Sequence, residues 1–187
     1  MLIGVVGLNG SGKDAVAKIL VRGYNYKHKD FGQAIRDELK VLGKNHLDRN
    51  EMTSLANERR KKFGNDYWAK QLLQEYAMGE KLVLSSIRNP AEVELIHHYG
   101  GVIVEVQATI KKRFERTVKR IENNPGEHGE INFDDFKKKE ERELKSTDPS
   151  KQQLLKCIEM ADKKINNNGS LKDLESEVKY FMENINR

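Results

Sequence analysis

The chain has 187 residues, of which 37% are hydrophobic and 34% are charged, with a formal net charge of +5. This length suits one compact domain with a sizeable core, and the hydrophobic content excludes a disordered chain. No run approaches the roughly 20 apolar residues that cross a bilayer, and the first seven residues, MLIGVVG, lack the basic region and cleavage site of a signal peptide. The only cysteine, Cys157, excludes an internal disulfide and favours a reducing, cytoplasmic environment.

The excess positive charge is concentrated in one part of the chain. Between Lys27 and Lys70 there are eleven Lys and Arg residues against seven Asp and Glu residues. Such a segment is compatible with nucleic acid and equally with small phosphorylated ligands. An ordinary lysine-rich surface explains most of the individual lysines. The arginines of this segment decide in favour of a small ligand, and a nucleic-acid partner is not expected.

The first elements alternate apolar runs with helical periodicity. Residues 2–6 form a short apolar run that ends at a glycine, which predicts a buried strand. Apolar residues at spacings of three and one then predict a helix that ends at Gly23. Residues 24–29 form a weaker strand candidate, and a helix that ends at Gly43 follows it.

Capping residues mark the helices in the middle of the chain. Asp48 is predicted to cap a helix that ends at Gly64, and Asp66 a helix that ends at Gly79. After a strand at residues 82–87, the pair Asn89–Pro90 predicts an N-cap and a first helical position. The remaining predicted elements are a strand at 101–106, a helix through 110–121, a loop at 123–132, helices near 134–145 and 150–161, a short edge strand at 164–166 and a final helix from 170 through 185.

Five strands that alternate with helices predict an α/β fold: three layers, α/β/α, around a five-stranded parallel sheet. The sequence contains no repeat and no linker rich in proline or serine. We therefore expect a single domain over residues 1–187.

A glycine-rich turn follows the first predicted strand. The segment Gly7-Leu-Asn-Gly-Ser-Gly-Lys13 satisfies the GxxxxGK core of the Walker A motif between a strand and a helix. Glycines let successive backbone N–H groups surround an anion, and the helix N-terminus and the lysine add positive charge. This pattern predicts a P-loop NTPase fold in which the phosphates of a nucleotide contact Gly7, Asn9, Gly10, Ser11, Gly12, Lys13, Asp14 and Ala15.

One position departs from the motif. Asp14 and Ala15 stand where a Ser or Thr that ligates Mg²⁺ is usual. Asp14 can hold the ion directly or through water, with help from Ser11. Alternatively, Asp14 only stabilises the positive end of the helix dipole.

Beyond the P-loop, an ordered set of segments resembles nucleoside monophosphate kinase-like P-loop proteins, nearest the dephospho-CoA kinase-like and deoxynucleotide monophosphate kinase-like members. The segments are GLNGSGKD, FGQAIRDEL, NERRKKFGNDYWAKQLL, VLSSIRNPAEVE, RFERTVKR and QQLLKCIEMADKKINNNGSL, which span nearly the whole chain. The resemblance implies ATP and Mg²⁺ as cofactors, an acceptor-binding helical region over about 30–79 and a lid over about 111–146.

The resemblance also implies roles for acceptor-side residues. Arg36 and Arg88 are expected to hold the acceptor phosphate, with a third contact from Arg59 or its neighbour Arg60. Asp30 is expected to orient a sugar hydroxyl or base. A surface salt bridge is the alternative explanation for each arginine. Where many relatives have an aspartate at the end of the third strand, this chain has Ser85-Ser86, which leaves the coordination of Mg²⁺ open.

In the predicted lid, Arg113, Arg116 and Arg120 recur at spacings of three and four, which places them on one helix face. The resemblance implies that these three arginines, together with Arg142, close over the donor phosphates and stabilise the transition state. A solvated helix face paired with glutamates is the alternative. Asn168 and its neighbour Asn167 are expected near the donor base, or simply in a turn.

The expected activity is transfer of a phosphoryl group from ATP to a small phosphorylated acceptor, a nucleoside or deoxynucleoside monophosphate. The alternatives are phosphorylation of a hydroxyl, as in dephospho-CoA kinases, and an ATP-dependent switch without a kinase activity. No residue specifies the acceptor base, and the oligomeric state stays open. Cys157 and Trp68 are expected in the core, and the histidines lack metal-ligand spacing.

Overall fold

The computed structural model describes residues 1–77, 79–124, 132–144, 148 and 151–185. Over these residues the chain forms one sheet and helices on both of its faces. The strands are β1 (Leu2–Val6), β2 (Lys27–Asp30), β3 (Leu82–Ser85), β4 (Val102–Gln107) and β5 (Lys163–Asn166). The helices are α1 (Lys13–Tyr24), α2 (Phe31–Val41), α3 (Arg49–Phe63), α4 (Tyr67–Leu73), α5 (Pro90–His98), α6 (Ile110–Glu122), α7 (Phe133–Leu144), α8 (Leu154–Glu159) and α9 (Leu171–Asn184).

The sheet has the order β2-β3-β1-β4-β5, and every neighbouring pair is parallel. This confirms the predicted five-stranded α/β architecture, with β5 at an edge. Parallel strands need crossover connections, which the intervening helices supply. In the described part of the chain, no helix is both long enough and apolar enough to cross a membrane.

Two hydrophobic clusters make the layers. On one face of the sheet, α1 and α9 pack Leu20, Val178 and Phe181 against strand residues such as Val83. On the other face, helices α2 to α5 and α8 surround a core that includes Leu84. Adjacent residues of β3 therefore enter opposite clusters, as the alternation of side chains along a strand requires. Trp68 and Cys157 lie in the second cluster, at 2% and 0% exposure, as predicted.

Most predicted caps are confirmed. Asp48 accepts hydrogen bonds from the backbone N–H groups that open α3, and Asn89 begins α5 with a capping box completed by Glu92. Asp66 occupies the N-cap position of α4 as predicted, but its side chain makes no cap hydrogen bond and lies 2.8 Å from the Lys70 ammonium group. The predicted end of this helix at Gly79 is wrong, because α4 ends at Leu73. Helix α1 also continues past its predicted end at Gly23 to Tyr24. Its C-cap is Asn25, which adopts a left-handed φ of 61°.

The carboxyl ends of the parallel strands meet at one edge of the sheet, where open α/β folds bind ligands. The glycine-rich turn leaves β1 at this edge, and Asp30 ends β2 beside Ser85 of β3 in the strand register. Arg88 follows β3, and the predicted acceptor region, residues 30–79, contains α2, α3 and α4.

Candidate active site

The turn from Gly7 to Lys13 joins β1 to α1, and its shape depends on two glycines. Gly10 has a φ of 77°, and a Cβ atom there would lie 2.4 Å from the carbonyl oxygen of Arg113. Gly12 has a φ of 100°, and its Cβ would lie 2.1 Å from Nδ2 of Asn167. A side chain at either position would be strained and would collide with α6 or with the segment after β5. The turn is therefore held from two sides.

Lys13 opens α1 inside this turn. Its Nζ atom donates to the carbonyl oxygens of Gly7 at 2.8 Å and Leu8 at 3.0 Å. Burial, and then the positive charge of Arg88, lower the pKa of Lys13 to about 7. The ammonium group of Lys13 is poorly solvated in this turn. It is strongly attracted to phosphate oxygens, because they take the place of the water that it lacks.

A cavity of about 610 Å³ extends from this turn towards α2 and α3. It brings together residues from five parts of the chain that sequence analysis treated separately. Its lining comprises Asn9, Gly10, Gly12, Lys13, Asp14, Asp30, Arg36, Leu47, Arg49, Met52, Ser86, Arg88, Arg116, Arg120 and Asn124. The glycine-rich turn is thus at one end of the cavity and several arginines are around the rest.

Arg88 connects the two ends of the cavity. Its Nη2 atom donates to Oδ1 of Asn9 in the turn at 3.1 Å, and its Nη1 atom donates to Oε1 of Gln152 at 3.4 Å. Its backbone N–H group donates to Oε2 of Glu92 at 3.0 Å. The position of this guanidinium is therefore fixed both through the backbone and through the side chain.

Asp30 is held in the cavity wall by the two serines that end β3. The hydroxyl groups of Ser85 and Ser86 donate to Oδ2 of Asp30 at 2.8 Å and 2.6 Å, and the backbone N–H of Gln33 donates to Oδ1. Ser86 has a φ of 67°, a left-handed conformation that costs a residue other than glycine about 1–3 kcal/mol. Strain of this size at a ligand cavity is compensated by fixed contacts such as this pair of hydrogen bonds.

Among the predicted acceptor-side arginines, Arg36 lines the cavity, with Nη1 at 4.0 Å from Oδ1 of Asp30. The prediction for Arg59 does not fit the structure. Its Nε atom lies 2.5 Å from Oε1 of Glu38 and its Nη1 atom 2.7 Å from Glu58, outside the lining of the cavity. Arg49, which sequence analysis missed, lines the cavity instead.

The predicted lid arginines separate into two kinds. Arg116 and Arg120 line the cavity, and Nη2 of Arg116 donates to the carbonyl oxygen of Asn167 at 2.8 Å. Arg113 does not line it, because its buried guanidinium pairs with Glu140 and thereby joins α6 to α7. The side chain of Arg142 and the loop residues 125–131 lie outside the described residues.

Several residues of the turn lie away from the main cavity. Gly7 contributes a carbonyl oxygen to Lys13, and Ala15 lies in the first turn of α1 without lining the cavity. Ser11 is 1% exposed and lines a neighbouring cavity of about 320 Å³ with Asn168. Oδ1 of Asn168 accepts a hydrogen bond from the backbone N–H of Thr109 at 2.7 Å.

The residues available to Mg²⁺ differ from those predicted. Ser11 is buried and lines the neighbouring cavity, with its Oγ atom 2.8 Å from where a Cβ of Gly7 would be, while Asp14 lines the main cavity. Asp14 and Asp30 line this cavity, and the negative charges of both carboxylates favour the protonated form of Lys13. The described residues contain no cluster of three or more His, Cys, Asp or Glu side chains suited to a metal. Two carboxylates nevertheless fit Mg²⁺, which takes one or two of them and fills its other positions with water and phosphate oxygens.

Similar proteins are found among archaea. A UPF0200 protein of Aeropyrum pernix is 29% identical over 181 residues, which cover 96% of this chain and 90% of that protein. The UPF0200 protein Ta0179 of Thermoplasma acidophilum is 30% identical over 121 residues, 64% of this chain and 66% of the relative. The chain therefore spans about two thirds of the second relative and most of the first.

Solved structures with the same fold include kinases. Shikimate kinase from Bacteroides thetaiotaomicron superposes with a TM-score of 0.63 at 18% identity, over 100% of this chain and 99% of that chain. Shikimate kinase from Aquifex aeolicus superposes with a TM-score of 0.57 at 18% identity, over 100% of this chain and 98% of that chain. At these identities the similarity establishes a P-loop kinase fold. The sequence profile of the AAA domain family AAA_18 matches residues 3–145, and the chain belongs to that family.

Proposed function

We propose that the protein is a nucleotide kinase that transfers the γ-phosphoryl group of ATP to the phosphate of a nucleoside monophosphate. The observation that carries this proposal is the single cavity that joins the glycine-rich turn to three acceptor-side arginines, Arg36, Arg49 and Arg88. Each guanidinium offers a planar set of donors that matches phosphate oxygens, and three of them suit a dianionic group.

On the donor side, the backbone N–H groups of the turn surround the β- and γ-phosphates and Lys13 supplies a cation. Arg116 and Arg120 contact the same cavity from α6 and stabilise the charge that spreads over the transferred group. An acceptor phosphate oxygen attacks the γ-phosphorus in line. The new P–O bond forms as the bond to the β-phosphate bridging oxygen breaks, and ADP leaves.

Asp14 and Asp30 are the carboxylates that would hold Mg²⁺, with Ser85 and Ser86 keeping the carboxylate of Asp30 in place. When bound, Mg²⁺ neutralises charge on the phosphates and keeps their oxygens in position. The carboxylate of Asp30 lies 4.0 Å from Arg36 and also favours the protonated form of Lys13, so its negative charge offsets part of the positive charge of the cavity.

The decisive assay measures ADP formation from ATP and Mg²⁺ with a panel of ribo- and deoxynucleoside monophosphates and dephospho-CoA. We expect at least one monophosphate to raise turnover well above the hydrolysis of ATP alone, with a nucleoside diphosphate as product. Stimulation by dephospho-CoA alone would instead assign phosphorylation of a hydroxyl. A rate that no acceptor changes would overturn the kinase proposal in favour of an ATP-dependent switch.

The pKa of Lys13 predicts how ATP binding depends on pH. This pKa is lowered to about 7. Lys13 is therefore mostly neutral above that pH and must take up a proton to bind phosphate. Affinity for ATP should therefore fall as the pH rises, by up to about tenfold per pH unit. Calorimetric titrations at about pH 7.5 and about pH 9, where phosphate groups are already ionised, in buffers of different ionisation enthalpy, would measure both the affinity and the proton uptake.

The matched control for that measurement is Lys13→Arg, since a guanidinium stays charged over the whole range. This variant should bind ATP without proton uptake and with a flat pH profile. The same affinity and no proton uptake in the unmodified protein would contradict the prediction.

A further inference from the structure

A buried arginine beside the acceptor end of the cavity has an unused donor. Arg60 of α3 is 2% exposed, and its Nε and Nη2 atoms both donate to Oε1 of Glu92, at 3.0 Å and 2.8 Å. Its Nη1 atom is buried and has no hydrogen-bond partner among the described residues. A buried donor without a partner costs about 1–3 kcal/mol, so a ligand group that accepts this hydrogen bond would recover that free energy.

Arg60 lines a cavity that such a group can enter. This second cavity has a volume of about 290 Å³ and shares Arg36, Arg49 and Arg88 with the main one. Along α3 its lining includes Arg49, Thr53, Ala56 and Arg60, which are spaced by four, three and four and therefore share one helix face. We call the space between Arg88 and Arg60 the acceptor pocket.

The walls of the acceptor pocket suit a flat, partly apolar group. Phe31 and Ile35 of α2 line it on one side and Ala56 of α3 on the other, while Asn50 and Thr53 add polar atoms. The small side chain of Ala56 leaves room between the helices. A ligand whose phosphate is held by the arginines at the entrance would place its remaining atoms between these walls.

The charge of Arg60 is already balanced. Glu92 is 0% exposed and accepts four hydrogen bonds: two on Oε1 from Arg60, and two on Oε2 from the backbone N–H groups of Arg88 and Asn89. A carboxylate or second phosphate at Nη1 would add an uncompensated negative charge in a buried place, which is strongly unfavourable. A neutral carbonyl oxygen would satisfy Nη1 without this penalty.

We propose that Arg60 determines the specificity of the acceptor, by donating from Nη1 to a carbonyl oxygen of the acceptor's nucleobase. This inference rests on the proposed function. It selects bases that carry a carbonyl group, such as guanine, uracil or thymine, over adenine. Adenine has no carbonyl and presents an amino donor beside its ring-nitrogen acceptors, whereas guanine presents O6 and N7 as adjacent acceptors.

The test compares equilibrium binding of GMP, UMP, AMP and ribose 5-phosphate by calorimetry. Ribose 5-phosphate carries the phosphate and lacks the base, so it reports the arginine contacts alone. We expect GMP or UMP to bind more tightly than both AMP and ribose 5-phosphate, by roughly 10- to 100-fold for a hydrogen bond from a charged donor. Equal affinities for all four would overturn the inference and leave the proposed function standing.

A double variant tests the contribution of Arg60 to base preference separately from that of the other pocket residues. The double substitution Arg60→Met with Glu92→Gln removes both charges at similar side-chain length and keeps an oxygen for the cap of α5. It should lose the preference for GMP or UMP and bind ribose 5-phosphate as before. Ser54→Ala, an exposed change on the same helix, should retain the preference.

If the double variant does not fold, as judged by its thermal transition, the four-ligand series on the unmodified protein decides alone. A preference for AMP would overturn the inference. Failure of all four to bind would overturn this inference, and the wider acceptor panel would then decide the proposed function separately.

Discussion

Glu92→Ala is expected to lower the free energy of unfolding by about 3–5 kcal/mol, because it leaves the buried guanidinium of Arg60 without its counter-charge. The substitution also removes the acceptor of two backbone N–H groups, those of Arg88 and Asn89, at the start of α5. Glu92 and Arg60 are 0% and 2% exposed, so the guanidinium would stay largely desolvated after the loss of its partner. Urea unfolding followed by circular dichroism would measure the change.

The matched control is Glu94→Ala, which removes an exposed carboxylate two positions along the same helix and should change the stability by less than about 0.5 kcal/mol. A loss below about 1 kcal/mol for Glu92→Ala would mean that Arg60 finds another partner. The neutral pair Arg60→Met with Glu92→Gln should be more stable than Glu92→Ala, since no unpaired charge remains buried.

The local signals in the sequence determined the framework of the site. The spacing of Gly7, Gly10, Gly12 and Lys13 requires a particular backbone path, and the pair Asn89–Pro90 requires a helix start, so both could be predicted without tertiary information. The order of strands and helices then fixed which ends meet at one edge of the sheet. The resemblance to kinase-like P-loop proteins, rather than this order, assigned Arg36, Arg88, Arg116 and Arg120 to one region, and all four line the main cavity.

The choice between neighbouring arginines could not be made in that way. Arg59 and Arg60 point in directions that differ by about 100° around the axis of α3. Arg59 therefore pairs with Glu38 of α2, whereas Arg60 makes a buried contact with Glu92 of α5. The spacing of Arg49, Thr53, Ala56 and Arg60 is the signal that would have identified the cavity face. These four residues are polar or small, so a search for hydrophobic periodicity did not identify this helix face.

Long-range partners account for the other differences. The predicted helix start at Asn89–Pro90 gave no sign that Oε1 of Glu92 accepts hydrogen bonds from Arg60, 32 positions earlier in the chain. Ser11 belongs to the motif, yet it is buried and lines the neighbouring cavity together with Val106 of β4. Asp66 has capping chemistry, but Lys70 one helical turn later attracts its carboxylate. Each outcome depends on a neighbour that the local sequence does not specify.

Arg88→Ala is expected to reduce acceptor-dependent kcat/KM by about 10²–10³-fold, the usual effect of removing one donor that stabilises transferred charge. Arg88 lies between the glycine-rich turn and the acceptor-side arginines, so its loss affects the acceptor phosphate more than ATP. Its positive charge also lowers the pKa of Lys13. Without it, more Lys13 should be protonated near neutral pH, and ATP binding should be unchanged or tighter.

Acceptor use and ATP binding are therefore expected to respond differently to Arg88→Ala, and measuring both tests the assigned role. Steady-state rates with a saturating donor and varied acceptor give kcat/KM, and calorimetry gives the dissociation constant for ATP. Arg88→Lys, which keeps the charge but loses the planar set of donors, should lie between the two proteins in acceptor use. Arg59→Ala is the matched control, because its guanidinium is paired with Glu38 outside the cavity, and it should retain acceptor use. Equal losses of ATP affinity and acceptor use in Arg88→Ala would assign Arg88 to the donor site, because a guanidinium that held only the acceptor phosphate could not weaken both.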